Sequence, residues 1–439
     1  MEEFDPLTVD RELQRLAERW LAFRRRLATG ELPRLDPYHS SRWVCGRRTY
    51  EQLRQLTQDP VAPALARWVY RFTEQRVNSD LFITLSQRRK RDTHPLEEPE
   101  RGSFTLHSML ISALREPETR HAWLRAVVRH SQPTHEAVAL LWERRQELAV
   151  RMSLSSPDEI QAPCEDPYAL AERWLKRTED VWQTTPELGL DALIEQALAQ
   201  KAQVEWPARI TPRALLDFFS DSRLMEDLNL DPGPLPATIA PASWVRALAR
   251  LGSAFVDASA PRDQPFAIRH DPYGLERRRT GALFGLLLSN REFLRRRLGA
   301  SKSTSDAARR SLCLCFLIES RMAALRVLLR RAALQGARAL RECFEAESQR
   351  AIRVSLPGHA AGVVVRLHDD DVQRFCGLFL GVLRANELTM AHDEDWFRNP
   401  RAVDQVRSEA ALPPQEKTDN DKLDAGATLL LTNLAKALE

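Results

Sequence analysis

The residue types that could do chemistry fall into a few short clusters. "RHDPYGLE" (269–276) sets His270 beside Asp271 with Tyr273 close by, side chains that a hydrolase uses as acid and base. Adjacency in sequence does not make a dyad, and an Asp-Pro pair is also what caps a loop. "LHDDDV" (367–372) and "AHDEDW" (391–396) each join a histidine to several carboxylates. Neither has the spacing of a calcium loop, so acids complementing the macrodipole at a helix N-terminus are expected. "HEAVA" (135–139) has the first half of a zinc-binding pair but carries Ala139 where the second ligand would stand. The six cysteines, Cys45, Cys164, Cys313, Cys315, Cys343 and Cys376, show neither C-x-x-C spacing nor a disulfide framework. They read as buried reduced thiols.

One stretch poses a sharper question. "ALARLGSAF" (247–255) has the pattern of a buried helix, yet carries a glycine in mid-turn and a lone arginine among small residues. Ala249 and Ser253 are four apart and share a face, with Arg250 beside them. Either close packing requires small residues there, or this is a catalytic helix whose chemistry has been removed.

The elements that must position these residues are nearly all helical. "VDRELQRLAERWLAFRRRLATG" (9–30) places Leu13, Leu16, Trp20, Leu21 and Phe23 on one broad stripe and ends at glycine. Similar periodicity recurs along the chain. Residues 303–349 read as one or two long helices, interrupted at Gly336. Only "AIRVSL" and "GVVVRL", flanking "PGHA", look like strands, which predicts a hairpin there. Stretches rich in Pro, Ser and charge break the chain at 93–103, 153–167, 229–242 and 410–427. The expected fold is mostly α: an N-terminal helical region (1–155), a larger helical core (156–409), then a flexible linker and closing helix (410–439).

The gluzincin peptidases bind zinc through H-E-x-x-H on a helix, with a further glutamate on a second helix. "LARLGSAF" resembles the H-E-x-G-H helix of the thimet oligopeptidase and oligoendopeptidase family. Gly252 stands at the glycine, and Ala249, Arg250 and Ser253 stand where His, Glu and His would be. "RRTGALFGLLLSNREFLRRRLG" resembles the family's second helix, with Arg278 at the glutamate, 25 positions after Ser253. "ESRMAALRVLLRR" and "DEDWFRNPRA" look like the family's long helix and closing segment, so the resemblance spans residues 165–439. It implies a gluzincin-like clamshell in which both histidine ligands, the general base and the third ligand are replaced. Arginine stays protonated and serves as neither ligand nor base, so no metal, no cofactor and no catalytic residue is expected. Were Arg250 and Arg278 to converge, they would hold a carboxylate. The alternative is that each pairs with a local acid such as Asp257 or Glu276.

Composition agrees with a folded chain. Of 439 residues, 43% are hydrophobic and 28% charged, and 64 basic against 61 acidic residues leave a net charge of only +3. That balance argues against a dedicated nucleic-acid binder, and the basic runs at 88–91, 277–279 and 295–297 read as solvated faces. The apolar runs fall short of the ~20 residues a membrane span needs, and no secretory signal is visible, which suggests a cytoplasmic protein. The functional expectation is a catalytically inactive, metallopeptidase-like scaffold or subunit that binds a peptide or protein. The alternatives are a nucleic-acid-associated protein using arginine patches, or an enzyme with other catalytic residues.

Overall fold

The computed structural model describes residues 4–29, 36–185, 241–415 and 417–439, with isolated positions at 31 and between 189 and 230. The described chain is almost entirely helical, with a single two-stranded sheet. The first helices are α1 (Pro6–Thr29), α2 (Arg47–Gln55), α3 (Ala62–Val77) and α4 (Ser79–Lys90). On α1, Leu13, Leu16 and Phe23 are buried, whereas Leu21 is 47% exposed. The spacing explains the split: 13, 16, 20 and 23 follow the 3.6-residue turn, and position 21 falls off that stripe.

The hairpin does not lie where the β-branched runs predict it. Its strands are β1 (Thr93–Leu96) and β2 (Gly102–Thr105), paired antiparallel, and they begin in the stretch expected to be a loop and run two residues past it. "AIRVSL" and "GVVVRL" are instead helix ends. Ala351 and Ile352 close the helix Ala337–Ile352, Arg353 turns left-handed at φ 55°, and Ala361–Val364 forms a short helix. Close packing explains the outcome. Gly362 approaches the backbone of His135 so nearly that a Cβ would stand 2.5 Å from it, a contact that fixes this segment against the helix Gln132–Arg151.

After β2 come α5 (Leu106–Arg115), α6 (Arg120–Arg129), α7 (Gln132–Arg151), α8 (Asp158–Gln161), α9 (Pro167–Arg177) and α10 (Glu179–Thr184). The C-terminal part holds α11 (Pro241–Ser259), α12 (Phe266–Arg269), α13 (Leu275–Leu286), α14 (Lys302–Ala333), α15 (Ala337–Ile352), α16 (Ala361–Val364), α17 (Asp371–His392), α18 (Pro400–Ala410) and α19 (Asn420–Leu438). The break between α14 and α15 is at Gly336, whose φ of +106° suits glycine. The closing helix α19 begins at Asn420, where Asp419 accepts the Asp421 amide as a cap, and its Leu423, Ala427, Leu430 and Leu434 are buried in the main core.

The cores interleave along the chain. The largest joins α4, α7 and α9 to α11, α13, α14, α17 and α19. A second unites α1–α3 and the end of α7 with Phe266 and Ala267 of α12. A third sits under the hairpin with α5 and α6.

Glycines set the helix spacing around α13. A Cβ on Gly252 would lie 2.6 Å from the Thr280 carbonyl oxygen, and one on Gly281 would lie 2.6 Å from that of Ala249. Gly377 and Gly381 of α17 press in the same way on Arg278 and Ala282, and Gly426 of α19 presses on Phe379. Small residues in "ALARLGSAF" are thus what close packing of α11 on α13 requires.

Candidate functional site

The four positions singled out by the resemblance lie on this α11–α13 contact. The Ala249 carbonyl faces Gly281. Ser253 Oγ lies 3.0 Å from both the Ala249 and the Arg277 carbonyl oxygens, so its single proton is engaged with backbone. Arg250 is exposed. Arg278 is largely covered and donates to Asp370, 92 residues away. The local acids are used by its neighbours instead: Arg277 pairs with Asp257, and Arg279 with Glu276. Ser253 and Arg278 line one cavity, whose lining does not include Arg250. Alanine, an engaged serine and two cationic guanidiniums give zinc no donor set. Among the described residues, no group of three or more His, Cys, Asp or Glu could hold a metal ion.

The cavity that Ser253 and Arg278 share has a volume of about 270 Å³. Helix α1 contributes Arg24; α3 contributes Arg67, Arg71 and Glu74; α7 contributes Arg145. The start of α13 adds Tyr273, Arg277 and Arg278, and the segment entering α17 adds His368, Asp369, Asp370 and Arg374. Seven arginines therefore face three carboxylates. The carboxylates are already engaged. Glu74 accepts from Arg145 at 2.8 Å, Asp369 holds Arg330 through two bonds of 2.6 and 2.9 Å, and Asp370 accepts from Arg278 and from Arg374 at 2.9 Å. Burial would raise the Asp370 carboxyl, but Arg374 and Arg278 outweigh it and hold it well below the ordinary range.

"LHDDDV" is thus a hub for arginines, each of its aspartates meeting at least one: Arg330, then Arg278 and Arg374, then Arg366 at 3.4 Å from Asp371. Asp371 opens α17, as expected of a helix N-terminal acid. The side chains of Asp369 and Asp371 are only 6% and 5% exposed, so charge pairing is what lets them stay buried.

The remaining clusters have structural partners. Asp271 accepts the amides of Gly274 at 2.9 Å and Arg277 at 3.0 Å, capping the entry to α13, while His270 packs on Phe266. In "AHDEDW", Asp395 pairs with Arg296 and Arg398. His135 of "HEAVA" meets the Ala337 carbonyl at 3.1 Å. The basic runs are tied down: Arg88 and Arg89 donate to the carbonyls of Pro133 and Gly362, and Arg295 and Arg296 pair with Glu292. All six cysteines are free, five of them buried, and Cys164 and Cys376 stand 3.7 Å apart at sulfur. A second cavity, of about 320 Å³, has a mixed wall in which Leu283, Leu287 and Leu430 stand beside Asn290, Arg309 and Glu394, and burial pushes the thiol of Cys313 in its wall up to about 11, far from a nucleophile's range.

No protein-family model matches this chain, and no curated protein sequence matches it. No helix among the described residues is long and apolar enough to cross a membrane.

Sequence reasoning singled out Ser253 and Arg278, which line the cavity, and Arg250, which does not, and it missed Arg24, Arg71 and Arg145. Arginine is spread through the whole chain, so no local enrichment marks the three that converge. The triple aspartate was the available signal, because consecutive carboxylates that are buried require cations around them.

Proposed function

We propose that this chain is a non-hydrolytic binding protein, a pseudo-peptidase whose arginine-lined cavity accepts an acidic group of a peptide or protein partner. The observation that carries this reading is the cavity itself, where Ser253 and Arg278 occupy two of the metal-site positions of the resemblance and the lining holds more cations than carboxylates. The two helices that would carry a gluzincin site, α11 and α13, pack directly together through Gly252 and Gly281. The four replaced positions supply no ligand or base, so the reading excludes zinc-assisted hydrolysis by them. Its support is the chemistry of the cavity: guanidiniums fixed on rigid helices recognise carboxylates by two parallel bonds.

The test is fluorescence anisotropy with a labelled acidic peptide bearing a free C-terminus, followed by mass spectrometry of the peptide after prolonged incubation. Saturable binding that falls tenfold or more in Arg278→Met, with the peptide recovered intact, is expected. Cleavage of the peptide, or binding indifferent to Arg278, would overturn the reading.

A further inference from the structure

The cavity carries positive charge that its own acids do not neutralise. Arg24 and Arg71 take no carboxylate: Arg24 contacts His368 Nε2 at 2.6 Å and lies 4.6 Å over the Trp20 ring, and Arg71 lies 5.2 Å over Trp68. Burial lowers both guanidiniums, Arg24 to about 10 with Arg71 beside it and Arg71 with Arg277 beside it, against the nearby charge of Asp370; a guanidinium stays cationic at neutral pH in proteins. Polar atoms of the same lining are buried without a hydrogen-bond partner: Arg145 Nη1, Arg277 Nε, Gln75 Oε1, Gln161 Oε1 and Asp370 Oδ1. Arg145 is 2% exposed, Gln75 6% and Gln161 8%. Buried polar groups left unpaired are costly, and such a set in one cavity is what a bound ligand would satisfy.

We propose that the cavity recognises a phosphoryl group, carried by a small phosphate ester or by a phosphorylated side chain of a peptide. This rests on the reading of the cavity as a binding site without hydrolysis and names its ligand chemistry. A carboxylate brings one charge and two oxygens, which a single bidentate arginine meets. A phosphoryl monoester brings a charge near −2 at neutral pH and three acceptor oxygens. Arg24 and Arg71, with the free N–H groups of Arg145 and Arg277, match the second demand and exceed the first. The unpaired carbonyls of Gln75 and Gln161 repel an anion and suit N–H or O–H donors on the rest of the ligand. Asp370 also faces the cavity, but Arg278 and Arg374 already compensate its charge. A volume of about 270 Å³ leaves room beyond the phosphoryl group.

Calorimetric titration of the full chain at fixed ionic strength tests this, with inorganic phosphate, glycerol 3-phosphate, a phosphoserine pentapeptide, its glutamate counterpart and succinate as probes. At least one phosphorylated probe should bind tenfold or more tighter than the carboxylates, and the stronger of the ester and the phosphopeptide identifies the source. Arg71→Met should weaken that binding tenfold or more, and Arg71→Lys by less. Should Arg71→Met fail to fold, Arg24→Gln carries the same expectation. Carboxylates binding as tightly as the phosphorylated probes would overturn the phosphoryl assignment and leave the binding reading standing. No binding of any anion would overturn both.

Discussion

Gly252 and Gly281 stand against each other across the α11–α13 contact, each facing a backbone carbonyl of the opposite helix at a distance that leaves no room for a methyl group. Alanine at either position must push rigid backbone aside, because the nearest atoms belong to the main chain and not to a side chain that can swing away. Gly252→Ala or Gly281→Ala should therefore destabilise the protein by about 1–3 kcal/mol, the usual cost of overpacking a core. Gly46 is the control: nothing lies within 4 Å of its added Cβ and it caps α2 with extended backbone, so Gly46→Ser should leave stability unchanged or slightly raised. Urea unfolding monitored by circular dichroism separates the two cases.

The helical class was legible because buried and exposed positions alternate with a 3.6-residue period, and the break at Gly336 because only glycine suits its φ. The hairpin was not, since β-branched residues before and after "PGHA" pack as helix ends, while Pro95 and the charged stretch 97–101 hid the real strands. The cavity was hardest to read. Arg24 and His368 touch across 344 positions, and nothing in either neighbourhood announces the other. Arg278 was identified, but its partner Asp370 lies on another helix, and the nearer acids Asp257 and Glu276 go to Arg277 and Arg279. Local spacing places residues on a face. It does not say which distant charge completes them.

Arg330 and Asp369 form a buried ion pair with two hydrogen bonds, their side chains 2% and 6% exposed. Arg330→Met leaves Asp369 buried beside only the more distant charge of Arg145, and should cost about 3–5 kcal/mol. Asp369→Asn should cost less, since Arg330 keeps Asp158 as a partner. Burial raises the Asp369 carboxyl and Arg330 outweighs it, so its folded value lies below its unfolded one. The stabilisation it provides is present above the unfolded value of about 3.9 and fades as pH falls through the folded one. Acid unfolding of Arg330→Met should accordingly begin at a higher pH than in the parent, read by tryptophan fluorescence.

Cys343 is half-buried, whereas the other five thiols are buried. Burial, with Glu347 and Glu172 nearby, pushes it up to about 11, so it is slow to form thiolate. Iodoacetamide at pH 8 should label Cys343 first, slowly, and reach Cys164 and Cys376 only once urea opens the core. Peptide mass spectrometry of a labelling time course checks the order; early modification of Cys376 would contradict the close packing of α17 against its neighbours.

His270 tests the same packing by titration. Burial against Phe266, with Arg269 and Arg277 nearby, lowers the imidazole to about 4, against about 6.5 when unfolded. Between those values the unfolded chain binds the proton and the folded chain does not, so stability rises with pH across that window. The contribution is complete above about 6.5 and is lost as pH falls toward 4. His270→Gln cannot titrate, and its unfolding free energy should vary less between pH 4.5 and 7 than that of the parent. The parent slope must exceed the variant's, because Asp369 and the other carboxylates contribute equally to both. Equal slopes in urea titrations at four pH values would mean that His270 binds its proton as readily folded as unfolded, and that the turn joining α12 to α13 is open to water.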